Sequence, residues 1–241
     1  MAMKKRTKGN ITAPSLPGKD MLAEVNNNEA GNIYNSLFAK NRKVEYDNKD
    51  IALVNIRTNP DNQIFRAMDD DEDIRILAED IKRNGLMHNL VVFPEQEEGS
   101  TVYVLLSGER RFRALNYLQE KGDATWNIVN CNVVTTPLTE NEKKVLLYSA
   151  NLQVRGGFSD EAIRRQAIAE FITCLQREPY NMSREEALNA TKSVSTVNPR
   201  TIERDARIEE KLKGKLKTLL NDKFLTRSEC ETYLRFEADK Q

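Results

Sequence analysis

The chain has 241 residues with 37 basic and 37 acidic side chains, 39% hydrophobic and 31% charged residues and little glycine or proline, a balance that suits one or two ordered, helix-rich domains with a sizeable core. No stretch nears the roughly 20 apolar residues that cross a bilayer, the cysteines at 131, 174 and 230 form no C-x-x-C pair, and His88 is the only histidine. A membrane span, a disulfide framework, a zinc site and a multi-histidine metal centre are thereby excluded, and a Ser-His-Asp triad is disfavoured.

In chain order, Met1 to Lys8 is basic without the apolar core of a signal peptide, which predicts a cytoplasmic chain. Residues 1–45 carry Pro14, Pro17 and the Asn26-Asn27-Asn28 run with no apolar period, and a flexible basic leader is expected there. Ile51 to Ile56 reads as a strand and Asn59-Pro60-Asp61 as a turn. Ile74, Leu77, Ala78 and Ile81 then follow helical spacing up to a stop at Gly85. Leu90 to Phe93 and Thr101 to Leu106 read as a hairpin, Gly108 to Lys121 as a helix and Ile128 to Val134 as a further strand. This makes a compact α/β unit over 46–136. After Pro137 the pattern is helical, so an all-α domain is expected over 137–241, with capping boxes at Thr139-x-x-Glu142 and Ser183-x-x-Glu186 and an N-cap at Asn198-Pro199. Ser183 to Thr191 and Asn198 to Leu212 have a helix-turn-helix layout over 183–212, linked by Ser193 to Val197.

The segment with the clearest chemistry is Ser107-Gly108-Glu109-Arg110-Arg111-Phe112-Arg113-Ala114, directly after an apolar strand. Gly108 permits a sharp turn, the free N–H groups of the next helix point outward, and the arginines can pair with phosphate oxygens two at a time. A solvated basic helix end is the alternative. In the helical half, Ile202 and Ala206 fall on one side of a helix and Arg200, Arg204 and Arg207 on the other, an arrangement suited to DNA, with Thr201 beside them. The alternative there is a solvated helix whose arginines pair with Glu203 or Asp205.

Three segments in this order resemble the ParB family of DNA-partition proteins. They are Asn59-Pro60-Asp61-Asn62-Gln63-Ile64-Phe65-Arg66, similar to an N-P-x-Q-x-R turn with an insertion; Ala78 to Asn89, similar to a helix ending in Gly-Leu-x-x-Pro, with His88 and Asn89 in place of Gln and Pro; and the intact G-E-R-R-x-R-A motif at Gly108 to Ala114. Asn151-Leu152-Gln153-Val154-Arg155 resembles the family's E-N-x-Q-R box, with Ala150 in place of the glutamate and Val154 as an extra residue. The resemblance implies a ParB/sulfiredoxin-like α/β domain followed by a helix-turn-helix domain. It also implies a CTP pocket formed by Ser107, Gly108, Glu109, Arg110, Arg111, Arg113, Gln63, Arg66, Gly85, His88, Asn151 and Arg155, with Mg2+ held by Asn151. Ala150 removes a hard oxygen ligand, which argues against efficient CTP hydrolysis more than against CTP binding.

Double-stranded DNA is the partner implied for Arg200, Thr201, Arg204 and Arg207. A ParA-like ATPase and a homodimer through the N-terminal domain are candidate associations, with no membrane partner and a nucleoid- or plasmid-associated location. Nothing here resembles the C-terminal dimerisation domain into which family members normally continue. Two other readings stay open: a helix-turn-helix transcriptional regulator with a vestigial pocket, and a kinase or nuclease using Glu109 and the Asp69 to Asp73 carboxylates. A sulfiredoxin is rejected, because that activity needs a cysteine where Glu109 stands.

Overall fold

The structure, a computed structural model, describes residues 44–66, 70–154, 158 and 160–235. Residues 1–43 of the expected leader, and Arg155 of the expected pocket, lie outside the described residues. The N-terminal part is a mixed α/β domain built on a five-stranded sheet of order β1-β5-β3-β4-β2, and helices follow it. Its strands are β1 (Tyr46–Ala52), β2 (Ile56–Arg57), β3 (Leu90–Glu97), β4 (Ser100–Ser107) and β5 (Ile128–Val134). The first four helices are α1 (Gln63–Arg66), α2 (Asp71–Asn84), α3 (Glu109–Glu120) and α4 (Glu140–Val154).

The single strand expected over Ile51 to Ile56 is a correction. Leu53–Asn55 coil into a 3-10 turn, which splits the run so that β1 pairs antiparallel with β5 and β2 parallel with β4. Alternation alone could not reveal the split, since Leu53 is buried and Val54 exposed, as a continuous strand would also place them. A second correction concerns the end of the strand expected over Leu90 to Phe93, since Pro94 lies inside β3 opposite Tyr103. β3 pairs with β5 only over Leu90 to Val92, so the missing N–H of Pro94 costs no ladder bond on that edge. The hairpin turn is Glu98 and Gly99 instead.

Both sheet faces are covered, which is why Val102 to Leu106 is apolar nearly throughout. On one face Leu90, Val92, Leu105 and Val133 pack against Ile74, Ala78 and Ile81 of α2 and Phe112, Leu115 and Leu118 of α3. On the other, Phe93, Val104 and Leu106 pack against Leu146 and Leu147 of α4. The opposite side of α4 supplies Val145, Tyr148 and Leu152 to the core of the helical part. Helix α4 is therefore shared by two cores, and its start is tied by Glu142 Oε2, which accepts from the Thr139 N–H at 2.7 Å and hydroxyl at 2.9 Å.

The helical part adds α5 (Glu161–Gln176), α6 (Arg184–Val194), α7 (Pro199–Lys211), α8 (Gly214–Asn221) and α9 (Arg227–Tyr233). Ser183 and Glu186 form the capping box of α6, and the Asn198 side chain caps α7 by accepting from the Arg200 N–H at 2.9 Å. Helix α6 runs three residues beyond the expected Thr191, to Val194, which shortens the link to α7 to Ser195 through Asn198. Phe65, fully buried, leaves the α/β domain to pack edge-on to Tyr148 at 5.8 Å and beside Phe158 at 6.4 Å. No described helix is long and apolar enough to cross a membrane.

Candidate nucleotide site and candidate nucleic-acid face

Strand β4 delivers the chain to Gly108, which adopts φ +101° and turns it into α3. A Cβ at this position would lie 2.8 Å from Leu90 Cδ2 and 3.2 Å from the Arg111 guanidinium, so only glycine fits both the conformation and the space. The N-terminal N–H groups of a 12-residue helix thus open onto a rim rich in guanidinium groups.

Each arginine of the motif has a distinct position. Arg110 is half exposed and faces Asp73 of α2 at 3.9 Å. Arg111 is turned inward and donates to the carbonyls of His88 and, at 2.9 Å, Asn89, pinning the loop that follows α2. Arg113 meets Asp71 at 3.1 Å. Glu109 is buried and pairs with Arg66 of α1 at 2.7 Å, while neither of its oxygens accepts a hydrogen bond among the described residues. The acidic first turn of α2 therefore lies against the basic first turn of α3, and α1 and the His88 loop border the same place.

Asn151 of α4 reaches this region from the helical side, its amide donating to Asn62 Oδ1 at 3.3 Å and to the Leu147 carbonyl at 2.9 Å. Asn62, almost fully buried, immediately precedes Gln63. Of the sequence-predicted residues, Arg66 and Glu109 are joined to each other, Arg110 and Arg113 to α2, and Arg111 to the loop that follows α2. His88 enters through its backbone, Asn151 connects through Asn62, and Gly85 closes α2 at φ +80° with its N–H on the Ile81 carbonyl. Gln63 is exposed, and Ser107 lies at the end of β4. Asn62, Asp71 and Asp73 were missed as site neighbours. The acidic run, considered from sequence as a source of catalytic carboxylates, places Asp71 and Asp73 exposed on the first turn of α2, where both face arginines.

Residues 37–142 match the family model described as the ParB N-terminal domain. The chain carries a ParB N-terminal domain. The C-terminally truncated chromosome-partitioning protein ParB from Caulobacter crescentus, complexed with CTP-gamma-S, is similar at 18% identity, with 80% of this chain and 94% of that chain covered and a TM-score of 0.36. The C2221 form of a Pnob8-like ParB-N domain is similar at 12% identity, covering 83% and 97% of the two chains with a TM-score of 0.39. No curated protein matches the chain.

In the ParB-like chain's helical part, α7 buries Ile202, Asp205, Ala206 and Ile208 and exposes Arg200, Arg204 and Arg207, with Thr201 half-buried between the faces. The pairing along the helix envisaged from sequence gives way to pairing across elements. Glu231 Oε1 of α9 lies 2.7 Å from Arg204 Nε and 3.2 Å from an Arg207 amino group, while Glu203 pairs with Lys192 of α6. Asp205, fully buried, accepts from Arg164 Nε at 2.7 Å and has Arg227 at 3.5 Å, which locks α7 to α5 and α9. A cavity of about 300 Å³ lies on this face, lined by Arg184, Arg200, Arg204 and Arg207 together with Leu188, Glu203 and Glu231. No sequence signal points to Glu231, which is one of two glutamates on the short helix α9.

Proposed function

We propose that this chain is a nucleotide-gated DNA-binding protein of the partition type, with CTP held at the start of α3 and double-stranded DNA on the arginine face of α7. The observation that carries the nucleotide reading is Gly108, whose positive φ and lack of room for a Cβ open the α3 N-terminus beside Arg110 and Arg113. Bound there, a triphosphate supplies the negative charge that the exposed carboxylates of Asp71 and Asp73 supply in this structure, and it competes for the same guanidinium groups. Arg110 is assigned to direct phosphate contact and Arg111 to shaping the loop that would face the base. The similarity to a partition protein complexed with a CTP analogue is the reason for naming CTP among the nucleotides.

The protein's own donors do not build a magnesium site. Asn151 offers a neutral amide oxygen, Ala150 offers none, and among the described residues no group of three or more metal-ligating side chains is gathered. Mg2+ is accordingly assigned to the nucleotide's phosphates. Signal transfer is assigned to α1, because Arg66 touches Glu109 while its neighbour Phe65 sits in the helical core. A state in which α1 is held by both halves can be favoured by nucleotide only if the nucleotide binds that state more tightly. Partition of a plasmid, mobile element or chromosome in the cytoplasm, dimeric closure through the N-terminal domains and a ParA-like ATPase partner belong to this reading.

Calorimetric titration with CTP, ATP, GTP and UTP in magnesium tests it. Heat with CTP alone that disappears in Arg110→Ala supports the reading, and no heat with any of the four overturns it. The second reading, a helix-turn-helix regulator with a vestigial pocket, is favoured by the inward engagement of Arg111 and by Ala150. It predicts DNA binding that no nucleotide alters.

A further inference from the structure

We propose that Glu231 is a built-in occupant of the DNA-binding face, a carboxylate that takes the place of a backbone phosphate on Arg204 and Arg207 and lowers the protein's affinity for DNA until the phosphate displaces it. This inference rests on the DNA-binding reading of α7. One oxygen of Glu231 faces both guanidinium groups, at 2.7 and 3.2 Å, as a bridging phosphate oxygen would. Both arginines and the carboxylate are accessible to solvent, with the Glu231 side chain about one-third exposed, so the contact is open to competition.

Helix α9 has no need of these pairs to stay in place. Its first turn is closed by the Thr226–Glu229 capping box. Arg227 ties it to Glu161 of α5 and faces Asp205 of α7, while Cys230, with Tyr233 and Leu234 packed against the same cluster, joins Ile208, Leu212, Leu216 and Leu220. Glu231 is thus presented by an independently anchored helix toward the one α7 surface that carries Arg200, Arg204 and Arg207. Arg200, by contrast, makes no side-chain hydrogen bond or ion pair among the described residues. The face therefore holds one arginine ready for the first phosphate contact and two that are released only when Glu231 yields. The device favours ligands with several phosphates in register over single anions, because displacement requires both arginines to find new partners.

Binding of a labelled random-sequence duplex across a salt series tests the inference, comparing the full chain with Glu231→Gln, Arg200→Ala and, as a charge control, Glu97→Gln on the distant hairpin. The expected result is about threefold to tenfold tighter binding by Glu231→Gln, with the slope of log affinity against log salt steeper by about one to two. Glu97→Gln should match the parent. Binding by Glu231→Gln no tighter than by Glu97→Gln overturns the proposal. Weaker binding also overturns it and assigns Glu231 to orienting the arginines instead. If Arg200→Ala weakens binding while Glu231→Gln changes nothing, the DNA-binding reading stands and this inference alone falls. If none of the four proteins binds, both fall together.

Discussion

Replacing Gly108 by alanine probes the candidate nucleotide site through two separable costs. A residue with a Cβ held at φ +101° loses about 1–2 kcal/mol of backbone energy, and the new methyl would lie 2.8 Å from Leu90 Cδ2. Leu90 is fully buried, so it cannot swing into solvent, and overpacking of this kind costs about 1–3 kcal/mol. Together these destabilise the protein by about 2–5 kcal/mol, and at about 2–4 °C per kcal/mol for a chain of this size the Tm should fall by roughly 4–20 °C. Gly122→Ala is the internal control, because Gly122 has φ +88° with nothing within 4 Å of a Cβ. It should show the backbone cost alone, about 1–2 kcal/mol. Thermal unfolding followed by circular dichroism, side by side for the two variants, is the assay. Equal Tm losses would refute the claim that the α3 start is sterically reserved for glycine.

Asp205→Ala should cost about 3–5 kcal/mol in urea unfolding, since it leaves the nearly buried Arg164 without the carboxylate 2.7 Å away; a loss below about 1 kcal/mol would show the pair to be solvated. Thr226→Ala removes the α9 cap and should lower stability by about 1 kcal/mol, read in the same assay. Burial pushes the Cys131 thiol up to about 12 and that of Cys174 up to about 11. Their protonated forms are thus favoured by folding, with the stabilisation complete below the ordinary thiol value of 9.0 and lost as pH rises from there through the folded values; urea midpoints that stay flat from pH 8 to 11 in the parent and in Cys131→Ala alike would contradict this. Arg66→Ala, which leaves the buried Glu109 carboxylate without its cation, should abolish any effect of CTP on DNA binding; retention of that effect would remove α1 as the connector.

Local signals carried much of the fold. The spacing of Ile74, Ala78 and Ile81 gives α2, the run from Ile128 to Val134 matches β5 at both ends, and the capping boxes at Thr139 and Ser183 mark real helix starts. Gly108 was legible because a positive φ before a helix leaves a residue-type imprint. What escaped was set by contacts distant in sequence. The 3-10 turn at Leu53 exists because the flanking residues pair with different strands, and Phe65 is read as part of a turn although it belongs to the helical core. Phe224 is 76% exposed although it is as apolar as Leu216 and Leu220 nearby, which are buried. Charge pairing was the least legible layer. Arg204 and Arg207 have acidic neighbours along α7, yet their partner is Glu231, more than twenty positions away. A salt bridge that closes between elements leaves no periodicity to detect.

The most direct test of the account is hydrogen exchange of the full chain with and without CTP and magnesium, followed by mass spectrometry. Bound CTP should slow exchange over 108–113, where the α3 amides would meet phosphate, and over 62–66, where α1 connects the two cores. Unchanged exchange in both segments at saturating CTP would contradict it.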